Sequence, residues 1–172
     1  MFSKSSSSTL TTGSQEKKST STGEHGVFSV VILDKRIKEE DMAPLLLGLS
    51  KLKENVFCAV YSYMMVPGEV HLLIREKEQS VAGCVEYLHE NCFGDSDFTF
   101  TYEPIIGPDG FVEAFARMAR LPVDRGLCAA TGEWAYGSWV NEYQGMCSIK
   151  VCNRLIVLRR FGFDSLYKAV NP

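Results

Sequence analysis

The chain has 172 residues, 45% of them hydrophobic, with a net charge of −3. That suits one folded domain with an arm, and it argues against the indiscriminate nucleic-acid binding that needs a strongly positive field. No apolar run approaches the roughly 20 residues that span a bilayer, and Met1-Phe2-Ser3-Lys4-Ser5 lacks a secretory h-region, so the expectation is cytoplasmic, with no membrane partner.

Residues 1–24 are mostly Ser and Thr with almost nothing apolar, which predicts a disordered arm. Val27 to Leu33 is a β-branched run that reads as a buried strand. Asp41 is the expected cap of a first helix, with Pro44 in its first turn and Leu45, Leu46, Leu49 and Leu52 on its apolar face. Val56 to Met65 reads as a second strand. Pro67-Gly68 suits a type II turn, and a third strand follows from Glu69 to Arg75.

Ser80 is the expected cap of a second helix whose Val81, Cys84, Val85 and Leu88 share a face. Phe98 to Tyr102 reads as a fourth strand. Asp109 or Gly110 is expected to open a third helix, with Phe111, Phe115 and Met118 inward and Arg117 and Arg120 more exposed. The order β-α-β-β-α-β-α specifies an α+β fold, a ferredoxin-like split βαβ antiparallel sheet with helices packed on it. The corresponding organisation is the arm over 1–24, a domain over 25–145 and a C-terminal helical extension over 146–172.

Within that frame the chemistry concentrates on the third strand. Glu69 and His71 stand two residues apart, so they project from the same face while Val70, Leu72 and Ile74 project from the other. Two potential ligands on a rigid strand begin a divalent-metal site; the plain alternative is a solvated strand end. Arg117, Arg120 and Arg125 read either as a phosphate-contacting patch or as a solvated helix face. Arg154, Arg159, Arg160 and Lys168 form a second basic cluster, read first as solvation. Trp134, Tyr136 and Trp139 could stack on bases, but their density favours packing against the domain. The six cysteines include no C-x-x-C pair and specify neither a zinc knot nor a disulfide framework.

Met65-Val66-Pro67-Gly68-Glu69-Val70-His71-Leu72-Leu73-Ile74 resembles the "M-P-N-H-V-H-L-L-I" signature of single-tyrosine HUH transposases, and of their REP-associated branch above all. Glu103-Pro104-Ile105, Leu121-Pro122-Val123-Asp124-Arg125-Gly126-Leu127 and Trp134-Ala135-Tyr136-Gly137-Ser138-Trp139 resemble that family's "E-P-I", "N-P-V-x-A-G-L" and "W-P-W-S-S-Y", in the same order over about residues 27–145. The resemblance implies a ferredoxin-like fold, Mg²⁺ or Mn²⁺ held by two histidines on the central strand, and a helical tyrosine that attacks a phosphate of single-stranded or hairpin DNA. A homodimer is implied by the resemblance only.

Here the first histidine position is Glu69 and only His71 matches. Anchored on Pro122, the tyrosine position corresponds to Arg117. Glutamate remains a serviceable oxygen ligand for Mg²⁺, but a permanently protonated guanidinium cannot attack phosphorus. The expectation is therefore a transposase-like DNA-binding protein that lacks tyrosine-dependent nicking and rejoining. Two rivals stand beside it: an active metal-dependent transposase or endonuclease using Glu69 and His71, and a ferredoxin-like protein-interaction module.

Overall fold

The structure, a computed structural model, describes residues 26–55, 58–93, 98–146 and 150–172. The expected arm over 1–24 lies outside them, as do Val56, Phe57 and Cys147. The elements are β1 (Val27–Leu33), α1 (Glu39–Asn55), β2 (Cys58–Val66), β3 (Glu69–Glu76), α2 (Val81–Leu88), β4 (Thr99–Pro104), α3 (Gly107–Asp124), α4 (Arg154–Phe161) and α5 (Phe163–Val170). Two π-helical turns, His89–Phe93 and Trp139–Tyr143, interrupt them.

The four strands pair in the order β2-β3-β1-β4, and every pairing is antiparallel. This is the split βαβ sheet of an α+β fold, as the element order requires. Val30 and Ile32 of β1 and Val70, Leu72 and Ile74 of β3 are buried on one face. Leu45 and Leu49 of α1 and Leu88 of α2 meet Met65 and Val70 on that side. The opposite face carries Ser29, Val31 and His71 and is covered by α3 through Ala114, Met118 and Leu121. Alternation along β1 and β3 thus decides which helices each side chain meets.

Local chemistry explains most boundaries. Gly68 takes φ +82° between β2 and β3, the conformation a type II turn demands at that position. Ser80 accepts from the Gly83 N–H at 3.2 Å and caps α2, whose Val81, Cys84, Val85 and Leu88 are buried as the spacing predicts. Two helices differ from the sequence reading. In α1, Asp41 lies within the first turn and its Oδ2 accepts from the Lys38 N–H at 2.9 Å, the backward half of a capping box. Glu39, Glu40 and Asp41 together favour an earlier start through the helix dipole, which leaves Pro44 a turn deeper than expected. In α3, Pro108 in the first turn presets the helix, so it begins at Gly107 rather than at Asp109 or Gly110. It then runs through Pro122 to Asp124, and Gly126 at φ +69° turns the chain back.

The segment after α3 seals the β2 edge. The Met65 N–H donates to the Tyr136 carbonyl at 3.0 Å, and Trp134 Nε1 donates to the Met65 carbonyl at 2.7 Å. Ser138 Oγ accepts from the Tyr63 N–H and lies 2.8 Å from Ser62 Oγ. Every residue of β2 is buried as a result, and its unpaired edge is removed from solvent. Trp139 lies against Phe115 of α3 and Phe163 of α5, with ring centroids 6.0 and 5.7 Å away. Trp134 and Trp139 are therefore core, as their density suggested. Among the described residues no helix is long and apolar enough to cross a membrane.

Candidate functional site

β3 presents Glu69 and His71 side by side on the α3 face, opposite Leu33 and Val31 of β1. His71 Nε2 lies 2.8 Å from Glu69 Oε2. A carboxylate only accepts, so Nε2 carries the proton and the lone pair sits on Nδ1. Arg125, held at the C-terminal end of α3, donates from Nη2 to Glu69 Oε1 at 2.6 Å. Glu69 thus accepts from a neutral donor on one oxygen and a charged one on the other. Its side chain and that of His71 are each 18% exposed, whereas Arg125 is 54% exposed.

Beside this pair a cleft of about 240 Å³ opens between the sheet and α3, with His71, Val31 and Glu103 on one wall and Arg117, Met118 and Leu121 on the other. Arg117 Nη2 lies 3.5 Å from Glu103 Oε1, a solvent-exposed contact. His71 titrates below its ordinary value. Burial is the main cause; Glu69 opposes it, while the charges of Arg125 and Arg117 add to it.

The sign of the resulting pH effect follows directly. The unfolded chain takes up the His71 proton at about pH 6.5 and the folded chain only at lower pH, so folding loses stability as pH falls from about 6.5 through the folded value. His71→Gln is expected to flatten that part of the profile. Urea midpoints of both proteins at pH 7.5 and 5 check this, and an unchanged difference between them counts against a buried neutral imidazole.

Of the candidate arginines, Arg117 and Arg125 converge on His71. Arg120 is half-buried and not on the cleft wall, and the exposed Glu113 does not line it either. None of the chain's seven tyrosines lines the cleft. Tyr102 pairs with Val30 and so belongs to the α1/α2 face of the sheet. Tyr136 packs on Trp134 with centroids 5.8 Å apart. Tyr143 donates its hydroxyl to the Tyr61 carbonyl at 2.7 Å, and burial pushes its ionisation far above the usual phenol range. The sequence reading missed both acid partners of these arginines. Glu103 was visible only as part of a motif, and Glu69 and Arg125 are 56 residues apart with no pattern to link them.

The sequence matches no protein-family model, and no curated protein matches it. Among solved structures the chain is similar to a REP-associated tyrosine transposase bound to a REP hairpin, at 11% identity and a TM-score of 0.60, over 81% of this chain and 94% of that one. The fold is transposase-like.

On this scaffold the Glu69–His71 pair does not suit a resident Mg²⁺ or Mn²⁺. Among the described residues no group of three or more His, Cys, Asp or Glu gathers there or elsewhere. A dication would have to displace the Arg125 guanidinium from Glu69, break the His71–Glu69 bond, and sit beside the charge of Arg117. Charge that a metal would supply is already provided at Glu69 by a side chain.

Proposed function

We propose that this chain is a DNA-binding protein on a transposase-like scaffold, taking single-stranded or hairpin DNA without tyrosine-dependent nicking and rejoining. The observation that carries this reading is the cleft beside His71: its helical wall offers Arg117 and no phenol. At 61% and 54% exposure, Arg117 and Arg125 hold N–H groups free for phosphate beyond those spent on Glu103 and Glu69. A guanidinium has five such donors in a planar fork that matches phosphate oxygens. Glu69 and His71 fix Arg125 in place and take no part in bond cleavage. The transposase of similar fold was solved with a DNA hairpin, which supports DNA as the partner class here. Because the net charge is −3, the attraction is local and should weaken steeply with salt.

A second reading, a protein-interaction module, is favoured by the exposed outer strand β4, where every residue except the half-buried Phe100 is open to solvent. Fluorescence anisotropy of a labelled single-stranded hairpin between 50 and 300 mM salt separates the two. The DNA reading predicts binding whose affinity falls linearly in log–log form, with a slope near −0.7 per phosphate contacted. No binding at 50 mM would leave the interaction module.

A further inference from the structure

A cavity of about 300 Å³ opens at the other end of the α3 face of the sheet, between β2, the start of α3 and α4. It shares no residue with the His71 cleft. Arg75 follows His71 and Leu73 in alternation along β3, so it stands on the same face, roughly 13 Å from His71. Val27, Ile105 and Val157 give the cavity apolar walls, and Tyr61 and Arg75 give it polar ones.

Neither polar group has a partner within the chain. Tyr61 is 6% exposed, and its hydroxyl makes no hydrogen bond among the described residues. That hydroxyl is not among the fully enclosed unsatisfied atoms, so its remaining open surface faces the cavity it borders. Its ring is fixed edge-on against Phe111, with centroids 5.9 Å apart. Arg75 is half-buried and forms no ion pair or hydrogen bond among the described residues, although a guanidinium keeps its charge. Polar groups in such positions are normally satisfied, and both of these are donors towards an anion. No carboxylate side chain lines the cavity; Asp109, in the first turn of α3, lies outside its walls.

The surrounding rings decide the class of anion. Phe111 is stacked on Phe161 with centroids 4.5 Å apart and meets Phe115 on α3, while the exposed Arg160 lies over Phe161 at the rim. A nucleobase therefore finds no open ring to stack on. One half-buried guanidinium and one phenol suit a head with two oxygens and a single charge; a phosphate dianion would bring a second charge to which only the exposed Arg160 could answer.

We infer that this cavity binds a small monocarboxylate with a compact apolar body. The carboxylate accepts from the Arg75 guanidinium and from the Tyr61 hydroxyl, and the body packs on Val27, Ile105 and Val157. The site does not depend on the DNA reading of the His71 cleft, because the two sets of residues are disjoint.

The test is ligand-observed NMR titration of the full chain with 3-phenylpropionate, with its neutral amide and with acetate. The acid should bind at millimolar concentration or below, with the amide and acetate each at least about tenfold weaker, since one lacks the charge and the other the body. Arg75→Gln should weaken binding of the acid about tenfold or more, and Tyr61→Phe, which keeps the ring, about threefold or more. Both variants should melt with the wild type, because neither polar group has a bond within the chain to lose. No binding of the acid at millimolar concentration, equal binding of the amide, or full affinity in either variant overturns the proposal.

Discussion

Trp139→Ala is expected to destabilise the protein by about 3–5 kcal/mol, the usual range for truncating a buried aromatic. Trp139 is 1% exposed and joins three parts of the chain. It contacts Phe115 of α3 edge-on, stacks on Phe163 of α5, and also reaches Tyr143 and Tyr167. Removing the indole opens a cavity where the C-terminal helices meet the domain, so relaxation is limited. For a chain of this size the corresponding fall in melting temperature is roughly 6–20 °C. Met146→Ala, at a side chain 75% exposed, is the matched control and should stay within about 0.5 kcal/mol. Thermal melts of the three proteins decide it. A loss below about 1 kcal/mol for Trp139→Ala would mean that the segment after α3 is not part of the packed core.

Arg117→Gln/Arg125→Gln is expected to change DNA binding more than any other pair of surface substitutions. If each guanidinium meets one phosphate, the double variant should reduce the salt slope by about 1.4, with affinity near 50 mM falling by an order of magnitude or more. Arg120→Gln, which alters a side chain off the cleft wall, should leave the slope unchanged. Arg125→Gln also strips Glu69 of its charged partner, so Arg117→Gln alone should still reduce the slope by about 0.7. An unchanged slope in a double variant that still binds would move the DNA off this cleft.

The sheet was legible because its signals are local. Val27 to Leu33 is rich in β-branched residues, Pro67-Gly68 encodes its own turn, and Ser80 followed by Val81, Cys84, Val85 and Leu88 is both a cap and a face. The start of α3 was less legible, since Pro108 and Asp109 both suit a first turn and only the backbone decides which residue precedes it. The seal over β2 was not legible at all: Met65 to Tyr136 and Ser62 to Ser138 are pairings across some 70 residues that no periodicity encodes. The same holds for the site. That Glu69 and His71 share a face follows from strand alternation, but that a carboxylate would be held by Arg125 depends on where α3 ends against the sheet.

The proposed loss of tyrosine chemistry rests on Arg117, rather than a phenol, lining the helical wall of the cleft. Incubating the wild-type chain with an end-labelled DNA hairpin and Mn²⁺, followed by a denaturing gel, tests that most directly. The predicted result is intact DNA with no band of protein-linked label, under conditions where the undenatured complex is seen. A denaturation-resistant adduct that disappears in Tyr102→Phe or Tyr136→Phe would contradict it.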